Sequence, residues 1–459
     1  MTFVRKSDIM FIEKQSQEQI IKNTIYTERI YMDINKIIKE LEGCPCGRAH
    51  TVDIKAVKIG RGLKERTADI LKEYDFPRRL LAVADKNTLN ASCGIIEILE
   101  DGGFEVRLKL YENFREPHIS FVHEIEDECK NCDAILSIGT GSLNDICRMA
   151  ALTSDKEFAI FATAPSMDGF ASATSPIIEN NIKSTLPARQ PSIIIADTEI
   201  LAHAPTPLKS AGFGDVIGKL TAITDWRISN LLSGEYYCER IADLVRNALK
   251  KLISMADKVT KEDAKTAGFI METLVLTGLA MKLAGVSRPA SGAEHMISHF
   301  WGMKKLEEGK PSDFHGKKVG IATLALTEAY RNLASDKDIE FCDDAPDWSS
   351  IYDAYGLKFY DYVKEMNLRS ATEGISPKLL SENWDKICSI IKEELPTAEE
   401  LKDILTKAGC ATKYTEADID AELARLGLLY HPYMRHKIIL SRLLTMTNRS
   451  IDTLTSICS

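Results

Sequence analysis

The sequence predicts a two-part α/β protein: a parallel-sheet half built of alternating strands and helices, then an all-helical half. Three observations carry this. Between residues 53 and 197, short apolar runs alternate with amphipathic stretches, the pattern of strands joined by crossover helices. Past Pro207 strand-like runs largely vanish and helical spacing dominates. The chain has 459 residues, more than one simple core accommodates.

The elements follow in order. Residues 1–42 carry Ile20, Ile21, Ile25, Ile30, Met32, Ile34, Ile37, Ile38 and Leu41 at roughly helical spacing, and are expected to form a helical extension. A dinucleotide-binding α/β domain is expected over 43–203 and an all-α domain over 204–459. Strands are expected at Asp53–Gly60, Leu80–Asp85, Phe104–Leu110, Asp133–Gly139, Phe158–Thr163 and Ser192–Asp197. Helices are expected between them at Leu63–Tyr74, Thr88–Glu100 and Leu143–Leu152. Further helices are expected at Asp215–Leu232, Tyr236–Ala256, Lys261–Ala284, Val319–Leu333, Pro377–Glu394, Ala398–Lys407 and Glu416–Leu426. Ala267–Leu283 is apolar nearly all round, which predicts a buried central helix.

Composition narrows the function classes. Hydrophobic residues are 44% and charged residues 27%, ordinary for a globular protein. A formal net charge of −9 disfavours a nucleic-acid role, since no basic excess opposes phosphates. The start, MTFVRKSDIM, lacks the apolar core of a signal peptide. No run approaches ~18 apolar residues, so no membrane span is expected. The 11 cysteines are scattered without a framework, which fits free thiols in the cytoplasm.

Several segments can carry chemistry. Gly139-Thr140-Gly141-Ser142-Leu143-Asn144-Asp145 follows a strand and opens a helix, where free N–H groups can meet a phosphate. It lacks the last glycine of GxGxxG. Asp85, at the tip of an earlier strand, can accept hydrogen bonds from ribose hydroxyls. Thr163-Ala164-Pro165-Ser166-Met167-Asp168-Gly169-Phe170-Ala171-Ser172 begins at a strand's C-terminal end, where open sheets place ligands.

Gly214-Asp215 reads as a helix start, where an acid suits the dipole. His295 and His299, four residues apart, share a helix face. His315 stands at the head of an apolar helix. One carboxylate and two or three imidazoles together form a divalent-metal donor set. Lys183, Arg189, Lys219 and Lys317 lie near these segments as cations for a phosphate, though surface placement suits each equally. Cys44-Pro45-Cys46-Gly47 with His50 resembles half a zinc knuckle. A closed site needs four ligands and no second CxxC-like pair follows, so two protected thiols in a tight turn are expected. The Cys129/Cys132 CxxC falls in an acidic helical stretch.

The order GTGSLND, TAPSMDGFAS, AGFGDVIGK, SGAEHMISH, HGKKVGIAT resembles the metal-dependent polyol dehydrogenases, which include glycerol dehydrogenases and iron-containing alcohol dehydrogenases. Within them it is most similar to the bacterial sn-glycerol-1-phosphate dehydrogenase branch, through SMDGFAS, the EHxxSH run and AGFGDxxGKxxAxxDW. The similarity covers roughly residues 44 to 445. It implies a dehydroquinate synthase-like fold with a Rossmann-like first half.

The resemblance implies Asp215, His295 and His315 as metal ligands. It implies Asp168 and His299 as catalytic, substrate-contacting residues, with Asp215 touching substrate as well. Cofactor positions would be Asp85, Gly141, Ser142, Leu143, Asn144, Asp145, Thr163, Ala164, Pro165, Ser166 and Ser172. Two departures stand out: Ser142-Leu143-Asn144 replaces the more usual residues, and the charged run Lys304–Lys310 bears on the pocket rim.

The implied reaction is reduction of dihydroxyacetone phosphate to glycerol 1-phosphate with NAD, or NADP, and one divalent metal: zinc, nickel or iron. A homodimer with no nucleic-acid or membrane partner is expected. The alternatives are a glycerol dehydrogenase, a dehydroquinate synthase-like lyase, and a non-catalytic binding protein that keeps the fold.

Overall fold

The computed structural model describes residues 32–179 and 182–456. Of the expected N-terminal extension, Ile20, Ile21, Ile25 and Ile30 lie outside the described residues. Its end is helix α1 (Ile34–Leu41), capped by Asp33, whose carboxylate accepts the Lys36 N–H at 3.1 Å.

Eight strands follow: β1 (Ala56–Gly60), β2 (Arg79–Asp85), β3 (Glu105–Tyr111), β4 (Ala134–Gly139), β5 (Glu157–Ala162), β6 (Thr174–Glu179), β7 (Ile182–Pro187) and β8 (Ile193–Asp197). Six form one sheet in the order β1-β8-β5-β4-β2-β3, every pair parallel. Alternate residues divide between two cores. Leu81, Val83, Ile135 and Ile160 join one, and Leu80, Ala82, Leu136 and Phe161 the other. That period of two, buried on both faces, explains why the strands read as continuous apolar runs.

Between the strands lie α2 (Thr67–Glu73), α3 (Lys86–Ala91), α4 (Ile95–Asp101), α5 (Ile119–Glu128) and α6 (Gly141–Thr153). Helices α2 and α4 pack on one face and α6 on the other. The chain runs outward from β2 to β3, then returns to β4 on the far side of β2. The crevice of such a sheet therefore opens at the C-terminal ends of β2 and β4.

Two sequence expectations need correction here. The single helix at Thr88–Glu100 is broken, because Gly94 takes φ +85° between α3 and α4. No strand was expected between Thr163 and Ser192, where the antiparallel hairpin β6–β7 stands: Pro176, Pro187 and several polar residues hide its alternation.

From residue 198 the described elements are helical: α7 (Thr198–His203), α8 (Thr206–Ile217), α9 (Lys219–Ser233), α10 (Glu239–Ile253), α11 (Ala264–Ala284), α12 (Ala293–Glu307), α13 (His315–Leu333), α14 (Trp348–Tyr355), α15 (Tyr360–Met366), α16 (Pro377–Glu394), α17 (Ala398–Lys407), α18 (Ala421–Tyr430) and the short α19 (Leu440–Leu443). Helix α11 is, among the described residues, the one helix long and apolar enough to cross a membrane. Here 83% of its most apolar stretch is buried inside the fold. It packs with the sheet-facing core, and a second core gathers α12, α13 and the later helices.

The helix expected from Asp215 to Leu232 is two. Helix α8 begins at Thr206 with Pro207 in its first turn, where a missing N–H is harmless. Asp215 therefore sits in the last turn of α8, not at a helix start.

Candidate functional site

Two glycines decide how α8 meets α13. A Cβ on Gly316 would lie 1.9 Å from the Ala211 carbonyl oxygen, and one on Gly214 would lie 2.6 Å from the Gly316 carbonyl oxygen. Gly320 faces the Gly214 backbone in the same crossing. Only without side chains at Gly214 and Gly316 can the backbones close up and bring Asp215 beside His315. Gly212 does the same against the loop after β5, where a Cβ would lie 1.9 Å from the Pro165 oxygen.

One ligand atom each from Asp215, His295 and His315 lies within 4.8 Å of the others. Asp215 is fully buried, His295 nearly so and His315 half-buried. His295 Nε2 stands 3.4 Å from Asp215 Oδ1. The other ring nitrogen, Nδ1, meets Glu294 Oε1 at 2.6 Å, which directs Nε2 toward the cluster. Glu294 is in turn held by the Thr221 hydroxyl at 2.6 Å and the Gly292 N–H at 2.7 Å.

The donors suit a cation. Burial pushes the Asp215 carboxyl upward, yet Lys219 and the imidazoles outweigh it and hold it well below the usual range. Burial takes the His315 imidazole down to about 3, leaving a neutral ring with a lone pair to offer. His299 stays outside this trio, its ring centroid 6.4 Å from that of His295 and 5.4 Å from that of His315. Burial, with the His315 and His295 imidazoles close by, holds it well below its ordinary value.

Lys219 was grouped with cations that suit the surface. Its side chain is instead fully buried, with Nζ 2.7 Å from Asp168 Oδ2 and 2.9 Å from Asp215 Oδ1. The Asp168 N–H also donates to Asp215 Oδ2 at 2.9 Å. Asp168, Asp215 and Lys219 thus form one ionic knot at the start of a single 3₁₀ turn, Asp168–Ala171. The GDxxGK spacing, with its i,i+4 relation, is the signal that could have revealed it. Glu294 and Thr221 were missed as well; the acid beside His295 was visible, its contact was not. Arg189 and Lys317 are spoken for, at 2.6 Å from Asp155 and Asp313 respectively. Lys304 to Glu307 continue α12, so most of that charged run is helix.

The second group of residues lines the sheet's C-terminal edge. Asp85 ends β2, and its Oδ1 caps α3 by accepting the Thr88 N–H at 2.8 Å. Its Oδ2 accepts the Phe114 N–H at 3.3 Å. Gly141 opens α6 with φ +44° and open space where a Cβ would stand, leaving backbone N–H groups approachable.

Leu143, Asn144 and Asp145 turn inward and are buried. Asn144 accepts the Ser137 hydroxyl at 2.6 Å. Burial pushes the Asp145 carboxyl up to about 6. Their side chains therefore hold the turn, and what they can present outward is backbone. Thr163, Ala164, Pro165 and Ser166 are buried beside it, with Ser166 Oγ 2.6 Å from Thr140 Oγ1. Ser172 closes a local turn on Thr174 at 3.0 Å.

Residues 58–205 match the family model described as iron-containing alcohol dehydrogenase. A glycerol-1-phosphate dehydrogenase [NAD(P)+] of Halalkalibacterium halodurans is 30% identical over 390 residues, spanning 81% of this chain and 96% of that protein. The chain belongs to the glycerol-1-phosphate dehydrogenase family. A family member from Bacillus licheniformis is 29% identical over 410 residues, spanning 88% of this chain and 92% of its own.

The family's fold has solved counterparts. A probable glycerol dehydrogenase from Sinorhizobium meliloti superposes with a TM-score of 0.59 at 15% identity, covering 87% of this chain and 95% of that one. The α/β-then-helical architecture is thus the fold of solved iron-containing alcohol dehydrogenase and probable glycerol dehydrogenase structures.

Proposed function

We propose that this glycerol-1-phosphate dehydrogenase family member reduces dihydroxyacetone phosphate to sn-glycerol 1-phosphate, with NADH or NADPH and one divalent cation. The observation that carries the reading is the convergence of Asp215, His295 and His315, from three separate helices, within 4.8 Å. A carboxylate and two imidazoles fit zinc, nickel or ferrous iron, a cation displacing the proton that Asp215 and Glu294 favour on His295, and three protein donors leave coordination positions open. Asp215, His295 and His315 would hold the cation. The Gly141–Asp145 turn, the 163–166 loop, Ser172 and Asp85 would hold the dinucleotide.

When bound, the nicotinamide supplies hydride and the cation draws charge onto the substrate carbonyl oxygen. The rest falls to the chain's own residues. Asp168, anchored by Lys219, and His299, uncharged beside His315, would hold the substrate hydroxyls in register. The charges of Arg435, Lys183 and Lys318 reach the His299 and His315 imidazoles, which favours a phosphorylated substrate over glycerol. Burial takes the Lys318 ammonium down to about 7, and a phosphate dianion alongside would restore its charge.

The test is a substrate and cofactor panel run with elemental analysis on one preparation. NADH or NADPH consumed with dihydroxyacetone phosphate, and little oxidation of glycerol, is expected. Dinucleotide that is never consumed in net terms would favour the lyase reading. Metal-free, cofactor-free protein that binds neither would favour the binding protein. His315→Ala is expected to abolish turnover while leaving the fold and NADH binding intact; full activity after chelation and metal replacement would remove His315 from the site.

A homodimer is part of the proposal. Leu108 and Leu110 on edge strand β3 are 39% and 42% exposed, an apolar edge a second copy could cover. Sedimentation checks it. All ten cysteines among the described residues are free, which supports a reducing compartment such as the cytoplasm.

A further inference from the structure

The Cys44–His50 turn is completed by a residue far along the chain. Cys238, the N-cap of α10, brings its thiol to Cys44 and His50, so that ligand atoms of Cys44, Cys46, His50 and Cys238 all lie within 4.8 Å of one another. Cys44 Sγ is 3.5 Å from Cys238 Sγ. Cys46 Sγ is 3.2 Å from His50 Nε2, and Cys238 Sγ is 3.9 Å from the same nitrogen.

Those three separations are close to the edge lengths of a tetrahedral metal site. With Zn–S near 2.3 Å and Zn–N near 2.0–2.1 Å, a tetrahedral ion sets S···S at about 3.8 Å and S···N at about 3.6 Å. A disulfide needs about 2.05 Å and explains nothing about the imidazole.

The surroundings fit a closed metal site. His50 Nδ1 meets the Leu283 carbonyl oxygen at 2.8 Å. That nitrogen must carry the proton, so Nε2 keeps its lone pair and faces the thiols. The Tyr236 hydroxyl donates to Cys46 Sγ at 3.5 Å. Backbone N–H groups of Arg48 and Ile241 are directed at the Cys46 and Cys238 sulfurs. The Arg48 guanidinium lies 3.6 Å over the Tyr236 ring and reaches the Ala284 oxygen at 3.1 Å. It stands where the net negative charge of a tris-thiolate zinc complex would fall.

We propose that Cys44, Cys46, His50 and Cys238 form a structural zinc site, separate from the Asp215–His295–His315 cluster. Four protein ligands leave no open position, so the ion is structural. Binding releases three thiol protons as three Zn–S bonds and one Zn–N bond form, with no change of oxidation state. Its mechanical consequence is specific. The segment leading from α1 to β1 would be pinned to the start of α10 and, through Leu283 and Ala284, to the end of α11.

Cobalt exchange tests this, because the Asp215 cluster holds no sulfur. Protein prepared with cobalt is expected to show thiolate-to-cobalt charge-transfer absorption in the near ultraviolet and the strong visible bands of a tetrahedral ion. Zinc content in fully loaded protein is expected to fall by one equivalent in Cys238→Ser and in Cys44→Ser/Cys46→Ser, while His315→Ala keeps the thiolate band. A mercurial reagent should release one zinc from the wild type.

Cobalt-loaded wild type without a thiolate band, or a cysteine variant with unchanged metal content, would overturn the site. The wild-type spectrum does not depend on any variant folding. It also does not depend on turnover, so it separates this site from the reading of the activity.

Discussion

At the scale of single residues, the candidate site is controlled by groups that do not face the open side of the cluster. Glu294 holds His295 by its far nitrogen and is itself held by Thr221 and Gly292. Removing such a partner typically weakens metal affinity about 10–100-fold. Glu294→Gln is therefore expected to raise the metal dissociation constant by that factor with the fold intact; calorimetric titration of apo-protein measures it, and an unchanged constant would show that Glu294 does not orient the ligand.

His431 gives a pH signature away from that cluster. It is fully buried, its Nδ1 meets the Gly427 and Leu428 oxygens at 2.9 Å, and Nε2 meets Ser441 Oγ at 2.8 Å. Burial takes its imidazole down to about 4, against about 6.5 when unfolded. Between those values the unfolded chain binds a proton that the native state refuses, so stability falls as pH drops from about 6.5 to about 4. The difference in urea midpoint between wild type and His431→Gln is expected to change across that window and be flat above pH 7. A constant difference throughout would rule the linkage out.

At the scale of elements, the approach of α8 to α13 governs whether Asp215 and His315 meet. Gly214, Gly316 and Gly320 line the crossing, and the space at Gly316 is bounded by backbone, which cannot rotate away. Gly316→Ala must push the helices apart, an overpacking cost of about 1–3 kcal/mol. It should also separate His315 from Asp215. Lower stability together with lost metal binding is the expected pair of results. A variant that binds metal as tightly as wild type would show that the crossing tolerates a methyl group.

Sheet elements were largely legible, because β2, β4, β5 and β8 are buried on both faces and appear as unbroken apolar runs. Helices α16 and α17 fall where their spacing and first-turn Pro377 and Thr397 caps put them. The β6–β7 hairpin was not legible, since prolines and polar residues mask its alternation. Asp215 was placed on the wrong end of a helix because Pro207, Gly212 and Gly214 read as helix breakers, whereas Pro207 stands in the first turn of α8 and both glycines lie within it.

At the scale of the whole molecule, the crevice at the ends of β2 and β4 and the α8–α12–α13 cluster are built by different parts of the chain. Ligands that bind only the folded form stabilise it in proportion to the logarithm of their concentration, about 2.7 kcal/mol at one hundred times the dissociation constant. NADH and the cation added singly and together are expected to raise resistance to heat or protease, with the largest effect from both. No protection by either would argue against a functional crevice.

What the sequence determined by itself was the alternation of strands and helices, the turn after β4, and the order of the motifs carrying Asp215, His295 and His315. Those properties are local: period, spacing and residue type survive without a fold. Which residues meet was decided only by the tertiary structure. Lys219 binds Asp168 and Asp215 in the core, and Cys238 completes a cluster begun at Cys44. Asp215 and Lys219 are four residues apart, but the meetings of Lys219 with Asp168 and of Cys238 with Cys44 have no signature in neighbouring residues, because each depends on segments brought together by core packing.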